Sequence, residues 1–253
     1  MNDASAAGNV ARYAWVGKTY PEREYTISAA RQAAVHRSCG VRTERFGRMV
    51  DAGILANLHN PLWLAVKDPV TSVQLEQSVI QFSPLLLDEA FVMTGRVSAV
   101  EPAPRGNRVS HVYEFARMDG SLALRLARTD LRLSLPQTGH AAGSGAKPPQ
   151  PDPRDGLEEV FRRAFTPEGV MAYSAGGTGI HRDPEFARQR GYRAPLAAGM
   201  MVLHWMLESL ALDKPYAAVD IRLSMRRPMF WDEDMTLWGR RAGGRCDLLR
   251  AVN

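Results

Sequence analysis

The fold is decided by a pattern that occurs twice, first as Pro84-Leu85-Leu86-Leu87-Asp88-Glu89 and again as Pro228-Met229-Phe230-Trp231-Asp232-Glu233. Each copy leads through an apolar stretch to Gly-Arg, so that matched positions lie 144 residues apart without a gap (228 − 84 = 144). Proline ends a strand, Asp-Glu is typical of a turn, and the apolar stretch after it begins a new strand. The repeat therefore predicts two antiparallel strands in each half of the chain.

A segment rich in proline and glycine separates the two copies. The chain has 253 residues, which fits one large domain or two small ones. Between residues 136 and 156 it contains five prolines and four glycines, a composition that favours neither helix nor strand. We therefore predict a linker at 136–156 between an N-terminal half, 1–135, and a C-terminal half, 157–253. Two such similar halves are expected to pack as a pseudo-dimer.

Each half shows helical patterns ahead of its strands. In the first half, helices are predicted over 29–35 and 52–58, and alternating apolar residues predict long strands on both sides of a turn at Asp119-Gly120. In the second half, Thr166 before a proline predicts a capped helix start, and residues 198–212 form a long apolar helix. The fold class predicted from these elements is α+β.

Composition excludes several classes of protein. Hydrophobic residues make up 45% and charged residues 23%, which is typical of a globular protein and excludes disordered and fibrous chains. Cys39 and Cys246 are too few for a disulfide framework and lack metal-ligand spacing, so we expect a reduced, cytoplasmic protein without a structural metal. The longest apolar run, 195–207, is too short for a bilayer span, and residues 1–12 carry no secretory signal. A net charge of +5, spread along the chain, disfavours nucleic acid as a partner.

The second half carries a recognisable motif. It reads Tyr173-Ser174-Ala175-Gly176-Gly177-Thr178-Gly179-Ile180-His181-Arg182-Asp183-Pro184, followed by Gly191-Tyr192 and Pro195-Leu196-Ala197-Ala198-Gly199-Met200. This resembles the signature of the MaoC-like (R)-specific enoyl-CoA hydratases and dehydratases, Ser-Gly-Asp-x-Asn-Pro-Ile-His-x-Asp with a later Gly-Phe and Pro-x-x-His-Gly-Met. The opening and close of the motif are similar to the mesaconyl-CoA hydratase-like branch. The resemblance implies a tandem, or double, hot-dog fold, in which an antiparallel sheet wraps around a long helix in each half.

The resemblance also implies roles for individual residues. In the family, a His and an Asp hold the water that adds across the enoyl double bond, and an amide at a helix N-terminus binds the thioester oxygen. Carried over, the catalytic groups are the side chain of His181 and the backbone amide of Gly199. The implied substrate-binding residues are Tyr173, Ser174, Thr178, Asp183 and Met200. The substrate would be an acyl thioester of coenzyme A or of acyl carrier protein, with no other cofactor and no metal.

The sequence departs from the signature at the catalytic acid. The position five residues before His181 is Gly176 instead of Asp, and the family His before Gly-Met is Ala198. The nearby substitutes are Glu168 and Asp183 and, less suited as bases, Ser174, Thr178 and Tyr173. Simpler structural roles also stand beside the functional ones: Asp183 precedes a proline and is typical of a helix cap, while His204 in the apolar helix is typical of a core histidine.

Three functions remain open from the sequence. The leading one is reversible hydration of a 2-enoyl thioester to a 3-hydroxyacyl thioester, a lyase reaction. The second is an acyl-thioester binding protein or partner subunit that has lost the acid and does not catalyse. The third is a thioesterase on the same fold. Acyl length, coenzyme A against carrier protein, and pairing of two chains into a homodimer are left open.

Overall fold

The computed structural model describes residues 14–58, 72–104, 106–133, 154–175, 179–211, 215–242 and 245–252. The predicted linker lies almost wholly outside these ranges, and the division of the chain at 136–156 therefore stays a prediction. Thr178 also lies outside them. None of the helices in the described ranges has the length and apolar character needed to cross a bilayer.

The described elements are nine strands, five α-helices and two short 3₁₀ turns. The strands are β1 Thr19–Thr26, β2 Ser72–Gln81, β3 Ala90–Ala103, β4 Gly106–Arg117, β5 Leu122–Leu133, β6 Glu158–Ala164, β7 Val219–Ser224, β8 Asp234–Ala242 and β9 Arg245–Val252. The helices are α1 Ala29–Cys39, α2 Ala52–Leu55, α3 Pro167–Tyr173, α4 Pro184–Arg188 and α5 Gly199–Leu210, and the 3₁₀ turns are Thr43–Phe46 and Gly179–His181. The helix starts predicted near residues 29, 52, 167 and 199 are confirmed.

One compact unit comprises residues 1–32, 46–136 and 215–227. It contains a six-stranded antiparallel sheet in the order β1-β3-β4-β5-β2-β7. The predicted turn at Asp119-Gly120 joins β4 to β5, where Gly120 adopts a φ of 84° and the Asp119 carboxylate accepts a hydrogen bond from the Ser121 amide. Alternate residues of β4 are buried, which is the pattern of a sheet with one face on the core.

The second compact unit comprises residues 33–45, 137–214 and 228–253. Its described sheet is three-stranded, in the order β6-β8-β9, and its most buried element is α5. Trp205 of α5 stacks on Phe165 with ring centroids 4.7 Å apart, and its indole N–H donates to the Cys39 carbonyl at 2.6 Å. A helix that is apolar on nearly all sides is stable in water only when it is enclosed in this way.

Strands flank each repeated turn, as predicted, but their hydrogen-bonded partners lie elsewhere in the chain. The two strands that flank the repeated turn do not pair with each other: β2 pairs with β5 and β7, β3 with β1 and β4, and β8 with β6 and β9. The physical reason is that the backbone of each turn bonds to the residues just before a helix that lies earlier in the chain, α2 or α5, instead of closing a hairpin. In the first copy Val50 donates to Leu85 and Leu87 donates to Arg48, at 2.8 Å in both cases.

A buried carboxylate anchors the last turn of α5. Glu208 is fully buried and accepts from the Arg42 side chain at 3.0 Å, while an Arg163 guanidinium nitrogen lies 2.6 Å from its second oxygen. Burial on its own would raise the pKa of Glu208, but the hydrogen bonds from Arg163 and Arg42 outweigh it and lower the pKa. Glu208 is therefore ionised at neutral pH inside the second unit.

Removal of this carboxylate is expected to destabilise the protein strongly. Glu208→Ala leaves the nearly buried Arg163 without its counter-charge, so we predict a loss of about 3–5 kcal/mol in the free energy of unfolding at pH 7, measured by urea denaturation. Because the native pKa is lowered, the contribution is present above the ordinary carboxyl pKa of 4.5 and disappears as the pH falls through the native value.

An exposed ion pair provides the control for this experiment. Glu89 lies 3.7 Å from Arg48, and both side chains are exposed, so Glu89→Ala is expected to cost less than about 1 kcal/mol. Equal losses in the two variants would show that Glu208 does not carry the stabilisation described here.

Candidate active site

The N-terminus of α5 lacks a side-chain cap. Its N-cap residue is Ala198, with φ −71° and ψ 127°, and no side chain accepts a hydrogen bond there. The first N–H groups of an α-helix have no acceptor within the helix and carry partial positive charge. Gly199 is the first helical residue, is only half-buried, and so presents its N–H to an oxygen from outside the helix.

The orientation of His181 fixes which of its nitrogens is basic. Its Nδ1 lies 2.8 Å from the carbonyl oxygen of Leu196. Because a carbonyl oxygen only accepts, Nδ1 carries the hydrogen and Nε2 keeps its lone pair. Burial lowers the pKa of His181 below 6.5, and the hydrogen bond to Leu196 opposes that change in part. The imidazole is therefore neutral at pH 7, with a free lone pair on Nε2.

His181 and the start of α5 share a single anchor. The Leu196 amide donates to the Ile180 carbonyl at 3.0 Å, so Leu196 is bonded to the 3₁₀ turn through both its N–H and its C=O. Leu196 precedes Gly199 by three residues, a distance of at most about 10 Å along the chain. The imidazole base is therefore bonded to the same short segment that leads into the open helix amide.

The other side of this segment is bonded to the repeated turn. The Ala197 amide donates to the Met229 carbonyl at 2.8 Å, and the Trp231 amide donates to the Pro195 carbonyl at 3.0 Å. Residues 195–197 are therefore held on both sides, as a strand in the middle of a sheet is held. This bonding leaves the carbonyl that orients His181 little freedom to move.

Arg193 adds an electrostatic clamp to the same turn. Its guanidinium lies 2.9 Å from Asp232 and 3.0 Å from Glu233, and it stacks 4.1 Å from the ring centroid of Phe230. All three partners belong to the second copy of the repeat. The acidic pair of the repeat thus holds the segment that carries the candidate site.

The first unit contains a closed counterpart of this arrangement. Gln32 Nε2, on α1, donates at 3.0 Å to the carbonyl of Met49, the residue that corresponds to Leu196. Asp51 then caps α2, because its carboxylate accepts from the Gly53 amide at 2.8 Å. Met49 and Leu196 each form an isolated bridge to the third residue of their repeat copy, Leu86 and Phe230. In the first unit the start of the helix is filled by the chain's own carboxylate, whereas in the second it is open.

The other residues implied by the motif occupy different places. The Tyr173 hydroxyl lies 3.1 Å from Nε2 of His204. Ser174 is buried, and its hydroxyl has no hydrogen-bond partner among the described residues. Asp183 caps α4 by accepting from the amides of Glu185 and Phe186, and Met200 is buried in the first turn of α5.

The structure brings no carboxylate to His181 within the part of the chain that it describes. The pKa of His181 responds only to burial and to the Leu196 carbonyl. Glu168 is exposed in the first turn of α3, and Asp183 is engaged in its cap. The site therefore offers one imidazole and the amides of a helix start.

The groups that hold the site together cannot be recognised from the sequence. Leu196 makes its hydrogen bonds through its backbone, so its side-chain type does not reveal them in a sequence. The counterpart of Ala198 in the first half is Asp51, at an offset of 147 residues instead of 144, so the gapless repeat does not reveal it. Arg193 was detectable only as one arginine among many.

The chain is similar to several solved structures in its fold. No protein-family model matches the chain, and no curated protein matches it. HtdX of Mycobacterium tuberculosis is 22% identical over 93% of this chain and 94% of HtdX, with a TM-score of 0.74. A MaoC-like dehydratase from Phytophthora capsici is 20% identical over 93% of this chain and 89% of its own, with a TM-score of 0.65.

A third similar structure carries the name of the fold. Rv0216 of Mycobacterium tuberculosis, described as having a double hotdog fold, is 12% identical over 94% of this chain and 89% of its own, with a TM-score of 0.59. The chain thus has the α+β double hot-dog fold found in MaoC-like dehydratases. The fold inferred from the sequence resemblance is confirmed.

A side-chain cap introduced at the open helix start is expected to stabilise the protein. Ala198→Asn and Ala198→Asp each supply an oxygen for the α5 amides, as Asp51 does for α2. Each variant is predicted to raise the free energy of unfolding by about 0.5–2 kcal/mol in urea denaturation. No gain in either variant would mean that the α5 amides already have acceptors.

Proposed function

We propose that this protein binds acyl thioesters of coenzyme A or acyl carrier protein at the start of α5 and catalyses reversible hydration of 2-enoyl thioesters. One observation carries the proposal. The neutral imidazole of His181 is bonded to the Leu196 carbonyl, and the segment that contains Leu196 leads directly to the uncapped amide of Gly199. A base and an oxyanion donor are the two elements that addition to an enoyl thioester requires.

The proposed reaction uses the imidazole twice. Nε2 of His181 takes a proton from water, and the water oxygen bonds to C3 of the enoyl group. The electron pair of the C2–C3 double bond forms a C1–C2 double bond, and the carbonyl pair moves to the thioester oxygen, where the Gly199 N–H and the helix dipole stabilise the enolate. The imidazolium returns its proton to C2, which regenerates neutral His181 and completes the addition of water. Dehydration follows the same steps in reverse.

The electrostatics of His181 suit this cycle. Burial lowers its pKa, so that the imidazole is neutral and available as a base at pH 7. The same burial makes the imidazolium a stronger acid, which favours the return of the proton to carbon. His181 can therefore serve both steps alone. This matters because Gly176 stands in this chain where the family has its Asp.

The remaining motif residues are proposed to surround the substrate. Met200, buried in the first turn of α5, would contact the acyl chain beside the carbonyl. The buried hydroxyl of Ser174 would face the thioester or the attacking water. Tyr173 and Asp183 would complete the wall of the site, and Thr178, outside the described residues, stays a candidate from the motif alone. The chain has only two cysteines, Cys39 and Cys246, too few for a disulfide framework, which supports the reducing cytoplasm as the setting.

Replacement of His181 tests the proposal. We expect wild-type protein to hydrate crotonyl-CoA, with the loss of enoyl absorbance as the measurement, and His181→Gln to reduce the rate about 10²–10⁴-fold. Gln is the matched substitution, because Gln32 makes the equivalent bond to a carbonyl in the first unit. Binding of crotonyl-CoA without turnover in the wild type would instead favour the acyl-thioester binding protein, the role that Gly176 suggests. Release of free thiol would favour the thioesterase.

The rate of hydration is expected to depend on pH through His181. Since the imidazole must be neutral to accept a proton and its pKa is lowered by burial, kcat/KM should rise with pH through an inflection below 6.5 and then remain level. The measurement is the rate profile from pH 4.5 to 8 at fixed ionic strength. An inflection above 7 would contradict the assignment of the base.

The pair of variants at Ala198 tests the oxyanion donor. Asn and Asp cap a helix about equally well, but only Asp places a negative charge where the enolate oxygen would form. Both variants should lose activity, because each occupies the helix amides, and Ala198→Asp should fall about 10²–10³-fold. Wild-type rates in Ala198→Asp would contradict a role for the start of α5.

A further inference from the structure

The groups at the site are sufficient for a reaction that consumes no water. The enolate invoked above needs only a base beside C2 and a donor at the thioester oxygen. His181 supplies the first and Gly199 the second. A substrate whose C2 proton is acidified by an adjacent double bond reaches the same type of anion by loss of that proton alone.

We propose that this protein also isomerises 3-enoyl thioesters to 2-enoyl thioesters by a 1,3-proton transfer through His181. This activity rests on the thioester site proposed above and uses the same oxyanion donor. Its substrates are acyl thioesters with a double bond between C3 and C4. Its product is the substrate of the hydration reaction.

The transfer balances without a co-reactant. Nε2 of His181 removes a proton from C2, the C2–H electron pair forms a C1–C2 double bond, and the carbonyl pair moves to the thioester oxygen. The dienolate is held at the Gly199 amide. When the carbonyl re-forms, the C1–C2 pair becomes the C2–C3 double bond, and the C3–C4 pair takes the proton back at C4. One C–H bond breaks and one forms, and the imidazole returns to its neutral state.

The way His181 is held favours this use of one nitrogen at two carbons. Its Nδ1 bond to the Leu196 carbonyl fixes the direction of the ring, and Leu196 is itself bonded to Ile180. C2 and C4 are both attached to C3, so a fixed Nε2 on one face of the substrate reaches both. Hydration, by contrast, requires a water molecule to be positioned as well, and the signature position that would supply its acid is Gly176.

Burial of the imidazole supports the return of the proton. His181 is largely enclosed, and burial lowers its pKa, so the imidazolium formed in the first step readily gives up its proton. In the dienolate state the imidazolium is positive and the thioester oxygen is negative, so the two charges attract each other. The second step then restores two neutral partners, which a partly desolvated site favours.

The test compares two thioesters on the full chain. Wild-type protein and His181→Gln are incubated with 3-butenoyl-CoA, and proton NMR follows the loss of its terminal vinyl signals. Crotonyl-CoA hydration is measured in parallel. We expect wild-type protein to convert 3-butenoyl-CoA to crotonyl-CoA and 3-hydroxybutyryl-CoA, and His181→Gln to be at least 10²-fold slower. Unchanged urea denaturation of His181→Gln shows that the loss is chemical.

The outcomes separate this inference from the proposed function. Hydration of crotonyl-CoA without conversion of 3-butenoyl-CoA overturns the isomerase activity and leaves the hydratase standing. Conversion of 3-butenoyl-CoA at equal rates in both proteins overturns the role of His181 in the proton transfer. Turnover of neither thioester overturns both proposals.

Discussion

The candidate site depends on one hydrogen bond, from Nδ1 of His181 to the carbonyl of Leu196. It determines the tautomer of the imidazole, because a carbonyl cannot donate, and so leaves Nε2 as the basic atom. It also ties the 3₁₀ turn that carries the histidine to the segment that leads into α5. The bonds from residues 195 and 197 to the repeated turn, together with the Arg193 clamp, hold this carbonyl in place. Without that support the histidine would be an ordinary loop residue.

The same arrangement occurs in the first unit, where its chemistry is absent. There the corresponding carbonyl, of Met49, is bonded by Gln32 of α1, whose amide cannot act as a base, and Asp51 fills the helix start that Ala198 leaves open. Gln32 and Asp51 both favour structure over chemistry. An amide side chain keeps the structural bond, and a carboxylate cap stabilises the helix and repels an anionic intermediate. Asp51 shows that this point of the fold can hold a side-chain cap. The lack of such a cap at Ala198 supports the proposed role of the α5 amides.

The sequence predicted the elements better than their pairing. Thr166, Asp183 and Gly120 were placed correctly, because caps and turns depend on local chemistry that single residues reveal. The strands around Asp88-Glu89 were predicted, but their partners were not, because the backbone of that turn bonds to residues 48–50, and backbone partners leave no mark in a sequence. His181 and Gly199 were found through a motif. The Leu196 carbonyl and the counterpart Asp51 were not, the first because any residue has a carbonyl and the second because a shift of three residues hides it from a gapless repeat.

The most direct test of this account is the tautomer and pKa of His181 in solution. Long-range ¹H–¹⁵N NMR of the histidine rings distinguishes a protonated nitrogen from one with a lone pair, and the His181→Gln spectrum assigns the signals. The account predicts that above pH 7 Nδ1 is protonated and Nε2 is not, and that the ring titrates with a pKa below 6.5. A ring protonated on Nε2, or a pKa above 6.5, would contradict the assignment of His181 as the base.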